Sequence, residues 1–140
     1  MISRLVVAWD DSDQARKGFD FALAIGAKFG AELHVLSVAR PPEPPVAVEM
    51  EAVLESAREY YERSWEPLRA QSAAQGVPAV FEVRVGHPAD QIVRYAAEVA
   101  ADMIVMGHRG KSASFIERWR LGSISKRVLS YATCTVTVVR

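Results

Sequence analysis

The chain has 140 residues, half of them apolar and about a quarter charged, and its formal net charge is zero. That length suits one domain with a real core, and the neutral balance offers no whole-molecule field for nucleic acid or a membrane surface. A single cysteine, Cys134, excludes an internal disulfide and a cysteine-rich zinc site, and suits a reducing compartment.

The first apolar run, Leu5 to Trp9, spans five residues and follows one basic residue, Arg4, which is too short a pattern for a signal peptide. No stretch approaches the roughly 18 apolar residues of a membrane span. A soluble cytoplasmic protein, one domain over residues 1–140, is the expectation. The run itself is short, β-branched and bounded by "DDSD", so it reads as a buried strand. Ser12 is placed to cap a following helix, with Asp13 in its first turn. Phe19, Ala22, Leu23, Gly26 and Ala27 share one face of that helix, and Gly30 suits its C-terminal cap.

A second strand is expected over Glu32 to Val38, and "RPPEPP" then stops regular structure. A long helical segment runs from about Val46 to Gln75, with a kink or break expected at Pro67. The third strand, "AVFEVRV", alternates Val80, Glu82 and Arg84 with Phe81, Val83 and Val85, so one face is more polar and nearer an edge. Pro88 suits the first turn of a helix carrying Ile92, Val93, Ala96 and Ala97. "DMIVMG" is a fourth strand, apolar enough to lie deep in the sheet. A helix over Ser123 to Ala132 and a last strand, "CTVTVVR", complete the chain.

Strand and helix therefore alternate, which implies an α/β fold. The expectation is a single doubly wound, five-stranded parallel sheet of order 3-2-1-4-5 with four helices, Rossmann-like. Ligands of such folds sit beyond the carboxyl ends of the strands, where the strand order reverses. Here that brings "AWDDS" after the first strand next to "MGHRG" after the fourth.

The segment "MGHRGKSASFIERWRLGS" contains Gly110-Lys111-Ser112, the tail of a nucleotide triphosphate loop. The loop pattern also needs a glycine five residues before Gly110, and that position is Val105, so the spacing fails. What remains is a basic, glycine-punctuated connection. From His108 to Arg127 six basic residues (Arg109, Lys111, Arg118, Arg120, Lys126 and Arg127) face one acid, Glu117. From Glu43 to Glu66 seven glutamates face Arg58 and Arg63, a block that reads as a solvated face. Gly107 and Gly110 let backbone N–H groups approach an anion, and Gly122-Ser123 opens a helix whose first N–H groups favour one. The plainer reading is a strand-exit turn followed by an ordinary helix cap. Spacing and charge alone leave both open.

The whole chain resembles the universal stress protein family, whose nucleotide-binding members carry G-x2-G-x9-G-[ST] after the fourth strand. "GHRG" and "GSIS" match both ends of that pattern, "VVAWDDS" matches the first strand ending in an aspartate, and "SKRVLSYATCTVTVVR" matches the close of the chain. Two departures stand out. Eleven residues, Lys111 to Leu121, separate Gly110 from Gly122 where the pattern has nine, and Asp11 stands where a glycine is common.

The resemblance implies ATP with Mg²⁺ as ligand. It implies that Asp10 meets the ribose or adenine, with Ala8 and Trp9 alongside and Val38 on the adenine side. Gly107, Gly110, Gly122 and Ser123 would hold phosphates through backbone groups, with Ser125 adding a side chain and Met106, Arg109 and Ile124 as neighbours. For Asp10 the residues alone also allow a solvated turn acid ahead of the first helix. The resemblance further implies homodimerisation through the C-terminal strand, whose uncharged edge invites pairing. An edge covered within the monomer, for example by "RPPEPP", is the alternative.

Other chemistry is thinly supported. His34, His87 and His108 share no metal-ligand spacing. No G-x-S-x-G elbow marks a nucleophile, and no aromatic platform accompanies the basic residues for RNA. Trp65, Trp119 and Cys134 read as packing residues. No residue is placed as a general base, His108 being a candidate by proximity only, so a nucleotide-responsive stress or regulatory factor is expected in place of an enzyme. Two alternatives stay open. One is a dimeric interaction module of the same fold, acting on protein partners without nucleotide; the other is a phosphoryl-transfer enzyme using the basic loop.

Overall fold

The computed structural model of the chain describes residues 1–108 and 121–140. Its elements alternate as read from the sequence: β1 (Arg4–Ala8), α1 (Asp13–Phe29), β2 (Glu32–Ala39), α2 (Ala47–Ala74), β3 (Ala79–Val85), α3 (Pro88–Glu98), β4 (Met103–Gly107), α4 (Ser123–Tyr131) and β5 (Thr135–Val139). All four strand pairings are parallel and the order is β3-β2-β1-β4-β5. This is the doubly wound α/β sheet that the alternation implied.

The period-two alternation of the strands sorts the core into two layers. Leu5, Val7, Leu33, Val35 and Val105 face α1 and α2, where they meet Phe19, Leu23, Trp65 and Leu68. Val6, Leu36 and Ile104 face the other way and meet Ile92, Tyr95 and Ala96 of α3 and Val128 of α4. The three inner strands are thus covered on both faces, and β3 and β5 form the edges.

The ends of α1 follow local chemistry. Ser12 Oγ accepts from Ala15 N at 3.0 Å, and Gly30 ends the helix at φ 70° with its N–H bonded to Gly26 O. Pro67 does not break the helix: α2 is continuous from Ala47 to Ala74. A proline inside a helix costs about 3 kcal/mol through a lost hydrogen bond and a clash. Here Trp65 and Leu68, both essentially inaccessible, flank it on the buried side, each stabilising the docked helix by about 1.5–3 kcal/mol. Pro67 and Arg63, whose carbonyl loses its partner, are both exposed, so water satisfies that group.

The buried residues of α2 (Trp65, Leu68 and Ser72) all lie in its C-terminal half. A polar network fastens this half to the sheet. Trp65 Nε1 donates to Ser37 Oγ at 3.1 Å, Ser37 Oγ donates to Trp9 O at 2.8 Å, and Trp9 Nε1 donates to Ser64 Oγ at 2.7 Å. Below it, Arg69 lies over the Phe81 ring at 4.3 Å.

A close backbone contact joins α1 to the end of β4. A Cβ on Gly107 would stand 2.4 Å from the Gln14 carbonyl oxygen, and one on Gly18 would stand 3.3 Å from Gly107 N. Two glycines therefore let a helix and a strand meet backbone to backbone. Gly107→Ala is expected to lower stability by about 1–3 kcal/mol, the range for overpacking a site that cannot relax; chemical denaturation reads it directly.

At the opposite end of the sheet, Asp102 Oδ2 accepts from Ser3 N at 2.6 Å and Arg4 N at 2.9 Å, and Asp102 N donates to Arg4 O. These two N–H groups hold the Asp102 carboxyl below the usual carboxylate range. A depressed folded pKa gives stability that is present above the unfolded value and lost as pH falls through the folded one. Asp102→Asn is expected to flatten the fall in stability below pH ~4, as followed by denaturation across an acid series.

Candidate functional site

The sheet places one crevice by topology. From β1 the chain winds to β2 and β3 on one side, then crosses back to β4 and β5 on the other. Connections leaving the carboxyl ends of β1 and β4 therefore diverge, and the gap between them is the switch point of the fold. Register pairs Leu5 with Met103, Val6 with Ile104 and Val7 with Val105. Extending it puts Ala8 beside Met106 and carries Asp10 out next to His108.

The sequence-predicted residues gather at this point in two groups. Ala8, Val38, Met106 and Ile124 all pack into the layer shared with α3 and α4. They come from four separate elements and form an apolar floor under the carboxyl ends of β1, β2 and β4. Val38 is on β2, next to β1 and on the far side of it from β4, so the floor extends sideways from the crevice. Ile124 brings the first turn of α4 onto the same floor.

The polar groups rise above it. Asp10 is exposed, and its Oδ1 accepts from Ser12 N at 3.1 Å, the short turn bond of an aspartate two residues back. This is the plain turn role that the residues allowed, and it leaves the carboxylate on the surface of the crevice. Trp9 faces the other layer. Its indole packs edge-on to Phe19 at 6.4 Å, and its backbone N donates to Leu36 O at 2.9 Å. With the Ser64 and Ser37 bonds, its polar groups are all engaged inside the protein, so it fixes the shape of the β1 exit.

Gly107 earns its glycine from the approach of α1, and Gly122 has a different character. Gly122 is the N-cap of α4 at φ −68° and ψ 164°, a conformation open to any residue, and it offers no side-chain cap. The first bond within α4 is Lys126 N to Gly122 O, so the N–H groups of Ser123, Ile124 and Ser125 have no partner within the helix. Ser123 is exposed and Ser125 is buried. The arrangement suits an anion at the helix N-terminus. Arg109 and Gly110, with Lys111, Arg118, Trp119 and Arg120, lie outside the described residues.

Further acidic and aromatic groups, not foreseen as part of the site, line its lip. Asp11 is exposed with φ 65°, and its Oδ2 accepts from Tyr60 OH at 2.6 Å. The neighbouring Tyr61 hydroxyl is pushed up to about 12, first by burial and then by the negative charges of Asp10 and Asp11 and by Tyr60. Both carboxylates thus act on one aromatic wall supplied by α2. The signal available in the sequence was the pair Tyr60-Tyr61, which marked the helix but not its tertiary partner.

Elsewhere, Cys134 is half-buried and burial pushes its thiol up, away from the reactive thiolate. His34 sits inside the α3 layer, its Nδ1 3.1 Å from Tyr95 OH. Arg127, one of the basic block, pairs with Asp90 of α3 at 2.9 Å. Trp65 is core, as expected. No helix among the described residues is long and apolar enough to cross a membrane.

Comparison with known proteins gives the family. The model of the universal stress protein family matches residues 1–140. The chain is 31% identical over 143 residues to a universal stress protein of Methanocaldococcus jannaschii, covering 100% of this chain and 83% of that one. It is 30% identical over 152 residues to the universal stress protein YxiE of Bacillus subtilis, covering 100% of both. A universal stress protein solved in complex with cAMP superposes with a TM-score of 0.75 at 26% identity, covering 99% of this chain and 97% of that one. With the family model matching residues 1–140 and relatives 30% and 31% identical over the whole of this chain, the chain belongs to the universal stress protein family.

Proposed function

We propose that this protein binds an adenine nucleotide, ATP with Mg²⁺ in the cell, in the crevice between β1 and β4, and acts as a homodimeric stress or regulatory factor in the cytoplasm. The observation that carries the reading is the convergence of an apolar floor (Ala8, Val38, Met106 and Ile124) with the uncapped N-terminus of α4. A flat base suits the floor, a ribose suits the Asp10 carboxylate, and phosphates suit the helix N–H groups. The relative solved with cAMP supports the choice of adenine. Among the described residues no group of three His, Cys, Asp or Glu side chains is arranged to hold a metal ion, so Mg²⁺ would arrive with the phosphates that it neutralises. Asp10, already committed to its turn, is poorly placed as a base for water, and occupancy in place of turnover is the proposed signal.

The dimer reading rests on β5. Val139 O accepts from His108 N at 2.8 Å and so faces β4. Because backbone groups alternate along a strand, the N–H and C=O of Val136 and Val138 point outward from the edge. Leu129 and Tyr131 of α4 add exposed apolar surface.

Calorimetric titration with ATP and Mg²⁺ is expected to show one site per chain, and Gly122→Val to abolish it without loss of fold, since φ −68° accommodates valine. Unchanged affinity in that variant would remove the α4 N-terminus from the site. Light scattering is expected to give twice the 15.4 kDa chain mass. Val138→Pro, which removes an outward N–H and leaves the β4 ladder intact, is expected to halve it; a parent protein of single-chain mass would sink the dimer.

A further inference from the structure

Asp11 occupies a backbone conformation that its residue type disfavours. Its φ of 65° lies in the left-handed region, where a Cβ crowds the backbone and glycine is the low-cost choice. Aspartate tolerates this region better than most residues, yet a side chain here still works against folding. Among the interactions it supplies is the bond from Tyr60 OH to its Oδ2, at 2.6 Å.

Tyr60 is well aimed for that bond. Its ring stands edge-on to Tyr61 at 5.1 Å and 89°, and Tyr61 stacks on Trp65 at 6.0 Å and 21°. Trp65 is buried and hydrogen-bonded to Ser37 of β2. A column of rings rooted in the core therefore delivers the phenol to the crevice lip. Beyond Tyr60, the residues of α2 from Ala47 to Glu59 include none that is fully buried, although Leu54 and Ala57 pack half-buried against the core, and at 1.5 Å per residue they amount to about 20 Å of helix. They lie on the carboxyl side of the sheet, because α2 starts after the end of β2.

We infer that Asp11 and Tyr60 are a positioning pair for the nucleotide: their bond, together with the packing of Leu54 and Ala57, sets the outer half of α2 as the outer wall of the crevice, and the conformation of Asp11 is kept for binding at some cost to folding. The inference rests on the adenine-nucleotide reading above. Neither residue is among those that the family resemblance assigns to the ligand.

Folding and binding are expected to move in opposite directions when the pair is broken. Asp11→Gly relieves the backbone and removes the acceptor, so the thermal midpoint without ligand should hold or rise, by up to about 2–4 °C. Calorimetric titration with AMP should show binding weakened about fivefold or more, the usual worth of one hydrogen bond. Asp11→Asn keeps an acceptor and tolerates the same φ, and should bind AMP within about twofold of the parent. Tyr60→Phe keeps the ring and loses the donor. It should match the binding loss of Asp11→Gly, and the double variant should be no weaker than either single one.

Three results would overturn the pair: AMP binding by Asp11→Gly equal to the parent's, a binding loss accompanied by a lower midpoint, or a loss in Asp11→Asn as large as in Asp11→Gly, which would make charge the cause. A parent protein that binds no adenine nucleotide would fell the functional reading and this inference together. A parent that binds while its variants match it would fell the inference alone.

Discussion

The backbone contact between α1 and the end of β4 constrains everything around the crevice. With Gln14 O only 2.4 Å from where a Cβ on residue 107 would stand, the first turn of α1 can sit where it does only because that residue is a glycine. That contact sets how far Ser12 and the β1 exit stand from the start of the glycine-rich connection. It also explains why the helix can begin so soon after the strand. Ser12 caps α1 while Asp10 bonds back to Ser12 N, so the turn and the cap share one residue.

Behind this contact, the β1 exit is braced from the opposite layer. Trp9 is bonded to β2 through its backbone and to α2 through its indole, and Ser37 joins Trp9 to Trp65. Bonds of this kind in a dry core cost heavily when half-made. The rigid part of the site is therefore the β1 side, held by a network in which each member constrains the next. The α4 side has no equivalent brace in its N-cap, which carries no side-chain bond.

Legibility from sequence divided along the line between local and tertiary causes. Ser12, Gly30 and Pro88 act on their own helices, and the sequence pattern located them correctly. The sheet order followed from alternation, and the residues of the apolar floor followed from a family motif. A break at Pro67 did not follow because its cost is local while what offsets it, the burial of Trp65 and Leu68, is not. Gly107 was assigned to the site for its openness to an anion, and the structure adds a steric reason that depends on a helix some ninety positions away in the chain. Asp11 was recognised as a departure, but its partner Tyr60 lies on another element, 49 residues distant. The contribution of Arg109 and Gly110 falls outside the described residues.

The uneven anchoring of α2 has a consequence for how the protein opens. Its C-terminal half shares the core, so releasing it means exposing Trp65 and Leu68 and breaking the cooperative unit. Its N-terminal half, rich in glutamate and without a fully buried residue, meets that unit through the half-buried Leu54 and Ala57 and the Tyr60–Asp11 bond. The helix is one element by hydrogen bonding and two by free energy. Protection of its amides should therefore rise from Leu54 toward Trp65, with the turns before Leu54 opening many times for each opening of the sheet.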